Sequence, residues 1–183
     1  MEKTKSFIVE KVYYLVSIIA MAFVIIFLIF TFLFRTSVVN GDSMVPNLIN
    51  GEKVLVSVFN YEPSQGDVVI ISHTDSMEKN LVKRVIATAG QRVSVNQDEG
   101  RVYVDGVALD EPYISVPTIN LGDWDYSDFD VPEGCVFVMG DNRNESLDSR
   151  YSQVGFVKTD YIVGHAVYKL NGYHVSEIKG TRR

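Results

Sequence analysis

The stretch that decides the fold of this chain is Val136-Phe137-Val138-Met139, followed by Gly140-Asp141-Asn142-Arg143-Asn144-Glu145-Ser146-Leu147-Asp148-Ser149-Arg150. The first four residues are apolar and are typical of a buried β-strand. The eleven that follow are almost all polar or charged. At the end of a core strand, so many carboxylates, amides, hydroxyls and guanidiniums form either a solvated loop or a fixed hydrogen-bonded network.

Similar apolar or alternating runs recur through the rest of the chain, and no helical period stands out beyond residue 36. The runs are Lys53–Val58, Asp67–Ile71, Val82–Ala87, Gln91–Val95, Arg101–Val104 and Ile162–Leu170. Turn residues bound them, and Asp105-Gly106 is a hairpin signal. This pattern predicts a mainly β domain. The acidic and aromatic stretch Thr118–Asp130 is predicted to be a surface excursion between two strands.

The first forty residues differ in composition. Val12–Phe34 is 23 residues long and carries no charge. As a helix it would span roughly 34 Å, enough to cross the hydrocarbon core of a bilayer. A cleavable signal peptide is the alternative, but its apolar region is shorter and ends in a small-x-small site. Since the run is long and no Ala-x-Ala follows it, we expect a retained transmembrane anchor over residues 12–34.

Charge gives the orientation and limits the partners. Three lysines precede the span and Arg35 follows it, so the positive-inside bias predicts residues 1–11 in the cytoplasm and residues 36–183 outside. Residues 36–183 hold 13 basic and 21 acidic residues, a net charge near −8, which argues against a nucleic-acid partner. The single cysteine, Cys135, cannot form an internal disulfide and is expected to be a small core residue.

Two segments carry residue types suited to nucleophilic catalysis. Gly41-Asp42-Ser43-Met44-Val45-Pro46 places a hydroxyl in a tight turn just after the span, although a polar linker would look the same. On a strand, Arg84 would point away from Lys83, which shares its face with Leu81, Val85 and Ala87. A lysine among core side chains loses hydration, so its pKa falls and it can act as a general base. The alternative is a lysine that extends outward from a strand edge.

The polar loop fits a calcium site poorly, because Arg143 occupies an oxygen-ligand position and the sixth-position glycine is missing. It fits a network better, with Asp141 and Asp148 paired to Arg143 and Arg150 and with serine hydroxyls as donors. The three histidines have no local partner pattern, and one cysteine with scattered histidines makes no zinc site. Elimination leaves a serine nucleophile activated by a lysine.

In order and spacing, four segments resemble the sequence boxes of the type I signal peptidases, the membrane-anchored proteases that remove signal peptides from exported proteins. They are Gly41–Leu48, Gly66–Val69, Lys83–Ala87 with Gly90, and Gly140–Arg150. The likeness covers essentially the whole chain and fits the short bacterial form. It implies a signal-peptidase-type antiparallel β domain with one N-terminal transmembrane helix, in the cell membrane. It also implies partners: secreted preproteins, the bilayer and, as an open question, the export translocon.

The resemblance also implies residue roles. Ser43 matches the nucleophile, Lys83 the general base, and Ser146 the hydroxyl that orients the lysine. A supporting ion-pair network matches Asp141, Arg143, Asp148 and Arg150. Apolar pockets for the substrate residues at −1 and −3 match Val39, Met44, Leu48 and Val82. The backbone N–H of Ser43 would be one oxyanion donor, and no metal or cofactor is implied.

Three positions depart from the family pattern. Gly41 stands where some relatives have a hydroxyl that donates to the oxyanion. Asn47 stands where threonine is usual and Gln91 where aspartate is usual, which puts local turn geometry in doubt rather than activity. Two rival interpretations are a non-catalytic anchored relative that binds secreted chains, and a self-cleaving Ser-Lys repressor-type protease. The first would be free to lose Ser43 or Lys83, and the second would carry a DNA-binding segment in place of the span.

Overall fold

A computed structural model describes residues 2–119, 127–171 and 174–178. It begins with one long helix, α1 (Glu2–Leu33). Glu10–Leu33 is long and apolar enough to cross a membrane, and none of it is buried against the rest of the chain. The helix ends one residue earlier than predicted, because Phe34 already pairs with Ser57 as the first residue of a strand.

Beyond the helix, the regular secondary structure of the described residues is almost entirely β-strand. The strands are β1 (Phe34–Val38), β2 (Lys53–Ser57), β3 (Val68–Ile71), β4 (Leu81–Thr88), β5 (Arg92–Asn96), β6 (Arg101–Val104), β7 (Val107–Ala108), β8 (Asp128–Asp130), β9 (Cys135–Met139), β10 (Val157–Lys158), β11 (Ile162–Asn171) and β12 (His174–Glu177). A short 3-10 helix, Thr159–Tyr161, precedes β11.

The strands pair antiparallel in two sheets. The first has the order β1-β2-β11-β3-β4-β9-β10, with β12 paired to β11, and the second has the order β7-β6-β5-β8. The chain leaves the first sheet after β4 and returns to it at β9. Strand β4 therefore lies between β3 and β9, in the interior of the first sheet, and its neighbours bury it on both edges.

Three apolar clusters fill the domain. One lies beneath the turn that follows β1 and contains Val39, Met44, Leu48, Val54, Val56 and Val68. A second joins the two sheets through Ile86, Val93, Val95, Val102, Phe137 and Met139. A third lies on the other side of the first sheet and contains Val69, Ile71, Val85, Val136 and Val138. Half-buried Cys135 begins β9 and packs against the second cluster.

The sequence predicted a mainly β domain, and each of the seven predicted runs contains a strand. The Asp105-Gly106 hairpin is confirmed, because both residues have positive φ, 51° and 78°, and join β6 to β7. The face assigned to Ala87 is wrong: a register shift between Val85 and Ala87 breaks the alternation, so Ala87 packs in the cluster of the second sheet.

The predicted surface excursion is only partly described. Residues 120–126 lie outside the described residues. Thr118, at its start, is fully buried, which contradicts a surface position there. Asp128–Asp130, at its end, is strand β8 on the edge of the second sheet.

Candidate active site

The segment between β1 and β2 holds Ser43 in a compact turn. Gly41 opens the turn with a φ of 93°, a value that favours glycine. The Val45 N–H donates to the Asp42 carbonyl at 3.1 Å, which closes the turn around Ser43. Met44, directly after Ser43, is buried in the apolar cluster below. This burial fixes the turn while Ser43 remains partly exposed.

Lys83 lies at the middle of β4 and reaches this turn. Its Nζ is 2.7 Å from Ser43 Oγ. The lysine is 3% exposed, so its amine has lost nearly all of its hydration. Two residues 40 positions apart in sequence are thus in direct hydrogen-bond contact.

The surroundings of Lys83 lower its pKa to about 8, and burial is the largest cause. The negative charge of Asp148 opposes the shift and the positive charge of Arg150 supports it. Since these two act in opposite directions, loss of hydration dominates. A lysine with such a pKa is neutral in a useful fraction of molecules near neutral pH.

Buried hydrogen bonds organise the C-terminal part of the polar loop. Arg150 donates through Nε and Nη2 to the two carboxylate oxygens of Asp148 at 2.8 and 2.9 Å. Asp148 also accepts from the Gly140 N–H at 2.9 Å, and Arg150 donates to the Arg143 carbonyl at 2.6 Å. The predicted pairing of Asp148 with Arg150 is confirmed by this geometry, and the loop is a network rather than a solvated turn.

The predicted pairing of Asp141 with Arg143 is wrong. Asp141 pairs with Arg84 of β4 through two hydrogen bonds of 2.7 Å each. Arg143 pairs instead with Glu111, at 3.1 and 2.5 Å. All four side chains are almost or fully buried. The aspartates and arginines of the loop were expected to pair with one another, whereas Asp141 and Arg143 each have a partner on another segment.

Ser146 was expected to orient Lys83, and the structure does not form that contact. Ser146 Oγ is buried, and it has no hydrogen-bond partner among the residues that the structure describes. It packs against Gly140, where an added Cβ would clash with it and would lie 2.5 Å from the Ser43 carbonyl oxygen. The hydrogen bond that Lys83 makes goes to Ser43. Ser146 and the Ser43 turn nevertheless both pack closely against Gly140.

A cleft of about 610 Å³ opens beside Ser43 and Lys83. Its walls come from β1, β3, β4, the segment 77–80 and the polar loop. Apolar contributions come from Val38, Ile70, Met77, Leu81, Val82 and Leu147. Of the four residues predicted to line a substrate pocket, Val82 lines the cleft. Val39, Met44 and Leu48 are at most 2% exposed and belong to the core beneath it, and their contact with substrate stays a prediction.

Gly41 offers no oxyanion donor. It has no side chain, and its N–H donates to Asn50 Oδ1 at 3.0 Å. The carbonyl of Ser43 accepts from the Asn142 N–H at 3.0 Å, which ties the turn that holds Ser43 to the polar loop.

Other titratable groups lie elsewhere in the fold. His165 stacks on Tyr61 at 4.5 Å, and burial lowers its pKa. His73 packs against Tyr161 at 4.0 Å. Across residues 2–119, 127–171 and 174–178, no group of three or more His, Cys, Asp or Glu residues is arranged to hold a metal ion.

Comparison with known proteins places this chain in a family. Residues 12–170 match the family model described as "Signal peptidase, peptidase S26". The chain belongs to the signal peptidase S26 family. It is 34% identical over 164 residues to a probable signal peptidase I-1 of Synechocystis sp., covering 84% of this chain and 80% of that protein. It is 39% identical over 155 residues to signal peptidase I T of Bacillus subtilis, covering 80% and 78%.

A solved structure of a signal peptidase I from Enterococcus faecalis is 30% identical and aligns with a TM-score of 0.46, covering 58% of this chain and 98% of that one. The signal peptidase relationship is therefore drawn from the sequence matches.

Asn47 and Gln91, which depart from the family pattern, both have hydrogen-bond partners in the structure. Asn47 Nδ2 donates at 2.8 Å to Asp141 and to the Tyr113 carbonyl. Gln91 Oε1 accepts from the Thr88 N–H at 2.9 Å, and Gln91 Nε2 donates to Asp105 at 3.1 Å. Both turns are therefore formed with the residues present.

Sequence reasoning about this signal peptidase missed several members of the site. Arg84 was recognised only as part of a matched box, and Glu111 and Tyr113 were not singled out. Ile70 and Leu147 line the cleft but were not predicted to do so. The available signal for Arg84 was its neighbour Lys83, since a second charged residue on a core strand needs a buried partner.

Proposed function

We propose that this chain is a membrane-bound serine endopeptidase that cleaves N-terminal signal peptides from exported preproteins after small residues at −1 and −3. The observation that carries the proposal is the 2.7 Å contact between Ser43 Oγ and a buried Lys83 whose pKa is about 8. A neutral amine in hydrogen-bond contact with a hydroxyl is the arrangement that a Ser-Lys protease requires.

In the proposed reaction, neutral Lys83 accepts the proton of the Ser43 hydroxyl as Oγ attacks the carbonyl carbon of the −1 residue. The backbone N–H of Ser43 stabilises the developing oxyanion. Protonated Lys83 then gives its proton to the leaving amine nitrogen, and the C–N bond breaks. Water, deprotonated by the same lysine, hydrolyses the acyl-enzyme and releases the signal peptide.

The cleft supports the proposed substrate. Ser37 and Val38 of β1 form one wall, and Leu81 and Val82 of β4 contribute to another. An extended segment between such walls directs alternate side chains toward the protein. Ile70 and Leu147 add to the apolar lining beside the dyad, which favours small apolar side chains over charged ones.

The proposed membrane arrangement rests on the charges that flank the span and is supported by the connection between α1 and the domain. We propose residues 1–11 in the cytoplasm, an anchor that ends at Leu33, and a catalytic domain on the outer face. Strand β1 begins directly after the helix, and the Val58 N–H donates to the Leu33 carbonyl at 3.1 Å. Ser43, ten residues after Leu33, is thereby kept near the bilayer surface, where a signal peptide leaves the membrane.

The test is cleavage of a preprotein by the full chain in detergent or liposomes. Ser43→Ala and Lys83→Ala are each expected to abolish processing while the thermal unfolding transition persists. Lys53→Ala is the matched control, because Lys53 is an exposed lysine of β2 that does not line the cleft, and it is expected to cut. Normal cleavage by either dyad variant refutes the dyad.

A further inference from the structure

The segment Glu111–Tyr113 follows β7, an edge strand of the second sheet, and packs against the polar loop. Glu111 accepts two hydrogen bonds from the Arg143 guanidinium at 3.1 and 2.5 Å, and its side chain is only 7% exposed. The Tyr113 hydroxyl donates to the same carboxylate at 3.1 Å. A two-point ion pair of this kind fixes both distance and orientation. The second sheet is therefore tied to the loop beside the dyad.

Tyr113 also contacts both segments that carry the reacting groups. The Arg84 guanidinium lies 3.9 Å from the centroid of the Tyr113 ring. The Tyr113 carbonyl accepts a hydrogen bond of 2.8 Å from Asn47 Nδ2. Arg84 directly follows Lys83, and Asn47 lies four residues after Ser43. One buried aromatic residue thus restrains the strand of the base and the turn of the nucleophile together.

Asp141 closes this arrangement. Its carboxylate accepts from Arg84 and from Asn47, so the strand, the turn and the polar loop share one anion. The next residue, Asn142, donates its N–H to the Ser43 carbonyl. A displacement of any one segment is consequently transmitted to the distance between Ser43 Oγ and its base.

Building on the proposed function, we propose that Glu111 and Tyr113 are positioning residues that hold Ser43 and Lys83 at reacting distance. Neither touches the reacting atoms or lines the cleft beside them. They act through the Arg143 and Arg84 guanidiniums. Because a small misplacement of reacting groups costs rate before it costs binding, their loss lowers kcat more than it raises KM.

The test measures kcat, KM and the pH profile of preprotein cleavage by full-length variants in detergent. Tyr113→Leu removes the ring beneath Arg84, and it is expected to lower kcat by about 10- to 100-fold with KM within about threefold. It is also expected to move the apparent pKa in the pH profile of kcat/KM, because a shifted β4 changes the surroundings of the Lys83 amine. Tyr113→Phe keeps the ring and is expected to recover most of kcat. Glu111→Gln tests the ion pair independently and is expected to lower kcat in the same way.

Tyr103→Leu is the matched control. Tyr103 lies in β6 of the second sheet, and its hydroxyl donates a hydrogen bond to Glu99, away from Ser43 and Lys83. It is expected to keep kcat and the pH profile. If Tyr113→Leu does not fold, Glu111→Gln decides the question. If Tyr113→Leu and Glu111→Gln fold and keep the parental kcat and apparent pKa while Ser43→Ala is inactive, the positioning role is wrong but the proposed function stands. Cleavage by Ser43→Ala overturns the proposed function instead.

Discussion

The pH dependence of cleavage tests the role of Lys83 directly. Only the neutral amine can accept the Ser43 proton, so protonation of Lys83 abolishes the base. Because burial lowers its pKa to about 8, kcat/KM is expected to rise tenfold per pH unit on the acid side and to level off above about pH 8. The profile of kcat/KM is the relevant one, since it reports the free enzyme.

The size of the effect follows from the shift. At pH 7, a lysine with a pKa of about 8 is neutral in about one molecule in ten. A lysine with the ordinary value of about 10.4 would be neutral in about four molecules in ten thousand. The buried position therefore increases the reactive fraction at pH 7 by roughly 250-fold, before any effect on the intrinsic reactivity of the amine.

The assay is initial-rate cleavage of a preprotein between pH 5.5 and 10, with substrate well below KM. Lys83→Arg is the control variant, because a guanidinium keeps the charge and the donors but stays protonated throughout this range. It is expected to be inactive at every pH. The role of Lys83 as the base would be refuted if the parental kcat/KM were constant from pH 6 to 9. It would also be refuted if Lys83→Arg showed the same rise of kcat/KM with pH as the parent.

Three further predictions concern packing and charge. Gly140→Ala is expected to cost about 1–3 kcal/mol of unfolding free energy and most of kcat, because the new Cβ meets the Ser43 carbonyl at 2.5 Å. Asp148→Asn is expected to cost about 3 kcal/mol, since it weakens the buried partner of Arg150, and to move the apparent pKa of Lys83 downward. Lys83→Met is expected to be inactive but more stable by about 2 kcal/mol at pH 7, with the gain shrinking as pH rises from about 8 to 10.5. Urea unfolding and the cleavage assay measure all three.

Matched variants separate these causes from general damage. Gly134→Ala places a methyl in open space at a φ of 71°, so it is expected to lose about 1 kcal/mol and no kcat. Asp130→Asn breaks an exposed pair with Arg92 and is expected to cost well under 1 kcal/mol. Equal losses of kcat in Gly140→Ala and Gly134→Ala, or equal losses of unfolding free energy in the two aspartate variants, would contradict these explanations. So would a Lys83→Met variant less stable than the parent.

The sign for Lys83→Met follows from linkage. Below about pH 8 the lysine is protonated in both states, and burying the charge costs the folded state about 3 kcal/mol. Loss of the hydrogen bond to Ser43 offsets about 1 kcal/mol of this. Between about pH 8 and 10.5 the unfolded chain binds more protons, so parental stability rises with pH and the advantage of methionine declines.

The core strands were predictable because their side chains carry the signal themselves. Runs such as Val68–Ile71 are buried throughout, and apolar β-branched residues are typical of buried strands. Strand β1 was not predicted, since Phe34–Val38 is largely exposed and contains Arg35, Thr36 and Ser37. Its conformation comes from pairing with β2, which no local pattern reports.

The ion pairs, like the strands, were predictable only in part. Asp148 and Arg150 are two residues apart in the same polar loop, and the charges of that loop predicted pairing between its aspartates and arginines. Arg84 and Asp141 are 57 positions apart, and their pairing requires knowledge that β4 runs beside β9, from which the polar loop emerges. Charge complementarity alone permits several pairings, and the strand register selects one.

The pairing also explains how a lysine among so many charges keeps a low pKa. A buried ion pair contributes little net stability, because the cost of removing both charges from water offsets their attraction. Beside Lys83, however, each carboxylate is matched by a guanidinium: Asp141 by Arg84 and Asp148 by Arg150. An unmatched carboxylate there would stabilise the ammonium form and raise the pKa of the base toward its ordinary value. The charge of Arg150 opposes the attraction of Asp148, and loss of hydration is the largest influence on the pKa of Lys83. In the proposed mechanism, the polar loop therefore serves the chemistry without supplying a reacting atom.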